Sequence, residues 1–157
     1  MENRGSYDPN NPSFRLENSP FYLIAHADFK YHEDMDKVLH KHGVSKPIYR
    51  ILTVLRERAP ASIGTIAEAA LTKRSTVSRI IDRMVEQGLV TTEPNADDNR
   101  ITDVTLSPAG QQMLRKLTPI VGRQFERAME GISNRDIAHL LRTLHKIGAN
   151  LSKLPIE

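Results

Sequence analysis

The chain has no cysteine and no tryptophan in its 157 residues. Without cysteine there are no disulfides, no thiolate catalysis, no cysteine-based zinc sites and no thiol redox sensing. Aromatic residues make up only 5%, which argues against a nucleic-acid surface built from rows of stacking rings. No run of about 18 apolar residues occurs, so no segment reads as a membrane span. The opening MENRGSYDPNNPSF lacks the apolar core of a secretion signal. A soluble cytoplasmic protein is expected. Catalytic signatures are also missing: there is no glycine-rich phosphate loop, no G-x-S-x-G and no H-E-x-x-H. The reading is therefore not an enzyme, with no cofactor.

What is present is ordinary globular composition, 39% hydrophobic and 26% charged, at a length suited to one domain or two lobes sharing a core. The net charge of +3 is spread without a polybasic arm. Residues 1–61 carry a net +1, residues 62–106 a net −2 and residues 107–157 a net +4. If nucleic acid is bound, individually placed arginines must do it rather than a bulk field.

Residues 1–18, rich in Asn, Pro and Ser, read as an extended N-terminal arm. From Pro20 to His42 apolar residues recur at helical spacing, and Gly43 is a natural stop. Ser45-Lys46-Pro47 offers a cap and a first-turn proline for a second helix, whose Ile48, Ile51, Leu52 and Leu55 fit i, i+3, i+4, i+7. Ser62 can cap a short third helix, and Thr72 a fourth running to Gln87. In the fourth, Val77, Ile80, Ile81, Met84 and Val85 form one apolar stripe, closed by Gly88. Residues 89–93 and 101–106 are β-rich and flank a polar turn, which predicts a hairpin wing. Ser107-Pro108 starts a fifth helix of about 108–130, with a kink expected at Pro119. Ser133, with Asp136 three residues on, caps a sixth. The fold class is mainly α with a small β-hairpin wing: a six-helix winged helix-turn-helix. Residues 44–106 would be its DNA-binding domain, and 19–43 with 107–157 a helical lobe from both termini. The apolar stripes of the terminal helices exceed what the winged core can cover, so they are expected to pair in a homodimer.

The outer face of the fourth helix presents Lys73, Arg74, Ser75, Thr76, Ser78, Arg79 and Arg83. Residues 72–83 hold four basic groups against one acid. A helix fits the major groove of double-stranded DNA, where Ser and Thr reach phosphates or base edges and Arg pairs with guanine. At the wing tip, residues 94–100, Asp98 can orient Arg100 toward the negative potential of a minor groove. The bland alternatives are a solvated basic face and an ordinary polar turn.

These residues carry a resemblance. IAEAALTKRSTVSRIIDRMVEQGLV, the wing D-x-R at Asp98 and Arg100, and the following VTLSPAG resemble the core of the multiple-antibiotic-resistance regulator (MarR) family. The helix order extends the likeness over residues 20–153. The resemblance implies an obligate homodimer on a pseudo-palindromic operator, usually a repressor released by a small ligand. By position, Ser75, Thr76 and Arg79 match groove-facing residues, Arg100 the minor-groove arginine and Asp98 its partner. Two departures stand out. Ser107 replaces the commoner Thr, and the turn Ala69-Ala70-Leu71 carries no glycine. The resemblance also places an effector between lobe and winged core. There Tyr22, His26, Tyr31 and Arg50 would suit a small aromatic carboxylate. The alternative puts both tyrosines in the core or interface and pairs Arg50 with a nearby acid.

Other readings remain. The six histidines (26, 32, 40, 42, 139 and 145) show no four-donor set at tight spacing, so no metal site is expected. A winged helix used only for protein contact would show an apolar outer face on the fourth helix, where Ser, Thr and Arg stand. A small helical metal-binding protein needs inward acids at i, i+3 on several helices.

Overall fold

The computed structural model describes residues 5–153. The first helix, α1 (Pro20–Lys41), opens on Pro20, where the missing N–H would have had no helical partner anyway. It stops at Gly43, whose φ of +72° lets the Val44 N–H reach the Leu39 carbonyl and the Gly43 N–H reach that of His40. α2 (Lys46–Arg58) buries Ile48, Ile51, Leu52, Val54 and Leu55, the face its spacing dictates. α3 (Ile63–Ala69) is capped as expected: the Ser62 hydroxyl accepts from the Thr65 N–H at 3.1 Å. α4 (Arg74–Glu86) buries Val77, Ile81 and Met84 and ends at Gly88, φ +68°, in the same hydrogen-bond arrangement as α1.

The wing is larger than a hairpin. Two strands, Val90–Pro94 and Thr102–Leu106, pair antiparallel with Val90 opposite Leu106 and Pro94 opposite Thr102. The two residues Ala61–Ser62 pair with the other edge of Thr102–Leu106, Ala61 opposite Val104. In chain order these are β1 (Ala61–Ser62), β2 (Val90–Pro94) and β3 (Thr102–Leu106), and β3 is central. β1 ties the start of α3 to the wing.

α5 (Pro108–Ala128) continues through Pro119. Its start is fixed by Ser107, the buried polar residue of the core. The Ser107 hydroxyl accepts from the Gly110 N–H at 3.0 Å and donates to the Gly88 carbonyl. Gly110 lies so close to Leu89 that a Cβ there would collide with the Leu89 carbonyl oxygen. α6 (Asn134–Leu151) is capped by Ser133, which accepts from the Asp136 N–H at 3.2 Å and donates to its carboxylate at 2.6 Å.

One apolar cluster unites Leu39 of α1, Ile51, Leu52 and Leu55 of α2, Ile66 of α3, Val77, Ile81 and Met84 of α4, Val104 of β3, and Leu114 and Leu117 of α5. Each such side chain contributes roughly 1.5–3 kcal/mol by leaving water. The chain divides into two compact units, one reaching Gln124 and one beginning at Phe125. In the first unit, the start of α1 exposes Phe21, Tyr22, Leu23, Ile24 and Phe29. In the second, α6 has no buried residue, and Leu140 and Leu141 are exposed.

The N-terminal segment differs from expectation. Residues 5–18 are not extended but form two 3-10 turns, Gly5–Tyr7 and Leu16–Asn18. The Asn18 amide donates to the Ser6 hydroxyl at 2.8 Å. Local side-chain caps produce the folding back: Asp8 accepts from the Asn10 N–H, and Asn11 from the Ser13 N–H. Residues 1–4 of the arm lie outside the described residues.

Candidate nucleic-acid interface

The inward stripe of α4 fixes what faces out. Lys73, Arg74, Ser75, Thr76, Ser78, Arg79, Asp82 and Arg83 are all exposed. Among the described residues no ion pair engages Lys73, Arg74, Arg79 or Arg83. Their charge is therefore presented rather than neutralised within the fold. Arg74 is the partial exception in placement. Its guanidinium leans over Gly64 of α3, where an added Cβ would meet Nη2 at 3.1 Å.

The start of α4 corrects the sequence reading. Thr72 does not cap it. The cap position is Lys73, which makes no side-chain cap bond, and Arg74 begins the helix. The Thr72 hydroxyl instead donates to the Ala70 carbonyl at 3.0 Å. The cause is the exit from α3. Leu71 adopts φ +53°, its N–H reaches the Glu68 carbonyl at 3.2 Å, and the Thr72 N–H reaches that of Ala67 at 2.9 Å. This hydrogen-bonded helix end uses up the residues that would otherwise have opened α4. Leu71 thus occupies the left-handed position that glycine usually fills.

The wing tip is organised by two side chains. Asn95 Oδ1 accepts from the Asp97 and Asp98 N–H groups at 3.0 and 3.1 Å, closing the turn. Asp98 Oδ1 accepts from both the Arg100 N–H, at 3.0 Å, and Arg100 Nε, at 3.1 Å. The Arg100 side chain remains 92% exposed. An ion pair this open adds little stability. Its effect is to hold one edge of the guanidinium while the terminal nitrogens stay available.

Of the four residues expected at an effector site, Arg50 alone lines a cavity among the described residues. Tyr22 and His26 stack with ring centroids 5.9 Å apart on the exposed start of α1. Among the described residues Arg50 pairs with no acid. Nη1 donates to the Ala70 carbonyl at 3.2 Å, closing the end of α3, and it lines a cavity of about 110 Å³ that includes none of the other three. Tyr31 packs edge-on against His32, and its carbonyl accepts from Gln124 at 3.4 Å. Burial pushes its phenol pKa up. Tyr49 is raised by burial first and then by Tyr31, with Arg56 opposing. His32 is engaged by Asp28, Nδ1 to Oδ1 at 3.0 Å.

Sequence reasoning missed a larger cavity of about 410 Å³ between the end of α2, β3 and the start of α5. Leu55, Leu106 and Leu114 give it apolar walls, and Arg56, Gln111 and Arg115 give it polar ones. Its residues come from three distant stretches, so no local pattern marks it.

With this geometry established, known proteins supply a comparison. A family model described as MarR family matches residues 42–101. The chain is 33% identical over 148 residues to the HTH-type transcriptional repressor IacR of Pseudomonas putida, spanning 94% of this chain and 89% of that protein. A crystal structure of a MarR family transcriptional regulator from Silicibacter pomeroyi superposes with a TM-score of 0.81 at 30% identity, covering 90% of this chain and 96% of that one. BpsR of Bordetella bronchiseptica, a structure concerned with regulation of DNA binding by 6-hydroxynicotinic acid, superposes with a TM-score of 0.72. At 18% identity, over 82% of this chain and 97% of that one, it shares the fold.

Proposed function

The chain belongs to the MarR family of DNA-binding transcription regulators, and from that premise we propose that it is a ligand-responsive repressor acting as a homodimer on a pseudo-palindromic operator. Each protomer lays α4 in a major groove. Ser75, Thr76 and Arg79 face base edges, and Lys73, Arg74, Ser78 and Arg83 serve phosphates and groove walls. Arg100, aimed by Asp98, takes the adjacent minor groove. One observation carries this reading: a row of exposed cations on α4, unpaired within the described protein, stands beside a wing arginine oriented by its own carboxylate. Exposed cations like these need no partner for the fold, and they are useful against phosphate. No described helix is long and apolar enough to cross a membrane, and a regulator of this kind works in the cytoplasm, where the DNA is.

Residues 19–43 and 107–157 form the dimerisation lobe in this reading, and 44–106 the DNA-binding domain. The exposed apolar starts of α1 and faces of α6 are its contact surfaces. The effector is a small aromatic carboxylate. BpsR, whose regulation involves such an acid, supports the class, and IacR supports the sign of regulation. The cavity flanked by Arg56 and Arg115 suits this ligand better than the scattered set of Tyr22, His26, Tyr31 and Arg50. Two guanidiniums can share a carboxylate while three leucines receive the ring.

Selection of bound duplexes from random DNA, with and without aromatic acids, tests the proposal. Enriched half-sites should lie about one helical turn apart, near 34 Å. Recovery of no enriched sequence, or only of single half-sites, would count against it.

A further inference from the structure

The turn that feeds α4 breaks two local rules within three residues. Leu71 is the sole described residue other than glycine with a left-handed backbone, φ +53°. Three helices end in the same pair of hydrogen bonds, and at this position α1 and α4 place Gly43 and Gly88. Only α3 places a side chain there, in a conformation that glycine adopts without steric cost. That side chain is not held by packing. At 86% exposure it is the most exposed large hydrophobic residue described. Two residues on, Lys73 stands at the cap of α4 with no side-chain cap bond, its charge against the positive end of the helix.

Strain and wet apolar surface that the fold does not need point to a partner. A protein partner is poorly served. Leu71 stands alone among exposed Glu68, Lys73 and Arg74, whereas the apolar residues suited to self-association lie on α1 and α6. Duplex DNA fits both broken rules. Phosphate neutralises Lys73, and the major groove offers one apolar group, the C5-methyl of thymine. Leu71 is three residues ahead of Arg74, so it sits beside the helix end that meets base edges. Resting on the DNA-binding reading above, we infer that Leu71 is a specificity-determining residue that packs against a thymine methyl in each half-site.

The test uses a duplex recovered by selection, in which each thymine is replaced singly by uracil, removing the methyl and keeping the pairing. A single replacement at the contacted thymine should weaken wild-type binding about fourfold, the worth of one buried methyl group, and replacement in both half-sites about fifteenfold. That sensitivity should vanish in both Leu71→Ala and Leu71→Gly, with the salt slope unchanged because no phosphate contact is lost. Leu71→Gly, relieved of its side chain, should also melt higher than wild type. A wild type indifferent to every uracil, or variants that keep the full wild-type uracil profile, overturns the inference while leaving DNA binding intact. Failure to select any duplex removes the DNA-binding reading, and this inference with it.

Discussion

Arg79 and Arg100 reach DNA by different means in this proposal, and their substitutions should read differently. Arg79 rides on a rigid helix. If it pairs with guanine, Arg79→Ala should cost roughly 1–3 kcal/mol of operator binding and relax preference at one base position, as binding to a panel of single-base variants would show. Arg100 is held by a neighbour. Arg100→Ala should lower the salt slope of binding by about 1, whereas Asp98→Asn should weaken affinity and leave the slope near wild type, because the cation remains. Equal slopes for Arg100→Ala and wild type would remove Arg100 from the interface. Ser107 is a residue of stability. Its hydroxyl serves both the Gly110 N–H and the Gly88 carbonyl, so Ser107→Ala should destabilise by about 1–3 kcal/mol in urea unfolding. Tyr49 supplies a pH dependence. Burial holds its phenol above the ordinary value of 10.0. A raised pKa contributes stability that is complete below the unfolded value and is lost as pH rises through the folded one. The melting temperature should therefore fall above about pH 10, less steeply in Tyr49→Phe.

At the scale of elements, α4 is built against its own interest at its start. Lys73→Ser would supply a cap and remove an unfavourable charge. It should raise stability by about 0.5–2 kcal/mol in thermal or urea unfolding while weakening DNA binding. A substitution neutral in both would argue that this end of α4 does not meet phosphate. The same turn marks the limit of what the sequence could say. Helices with long apolar stripes were legible because a 3.6-residue period has one burial solution, and Ser62 and Ser133 cap as written. The outer face of α4 and the Asp98–Arg100 pair followed from spacing alone. Thr72 misled because a cap residue is defined by the backbone it inherits, and Leu71 had already set that backbone. β1 was invisible because two residues have no periodicity, and only pairing with β3 makes them a strand. The cavity beside Arg115 was invisible because α2, β3 and α5 meet only in three dimensions.

For the whole molecule, the apolar residues left in water set the expectation. Phe21, Leu23, Ile24 and Phe29 at the start of α1, and Leu140 and Leu141 on α6, are exposed in the single chain. Leu140→Asp should shift sedimentation toward a monomer and lower operator affinity together, since a single half-site forfeits the second contact. A monomeric wild type at micromolar concentration would count against the paired arrangement. The junction at Ser107 then has a consequence for release from DNA. One hydroxyl bolts the tail of α4 to the head of α5, and Gly110 sits flush on the carbonyl of Leu89. A movement of one rod therefore strains the contacts that join it to the other. On the proposed reading, an acid seated beside Arg115 would never have to reach the groove: by levering α5 it would drag the reading head off pitch, and twin heads out of step with the double helix would let go.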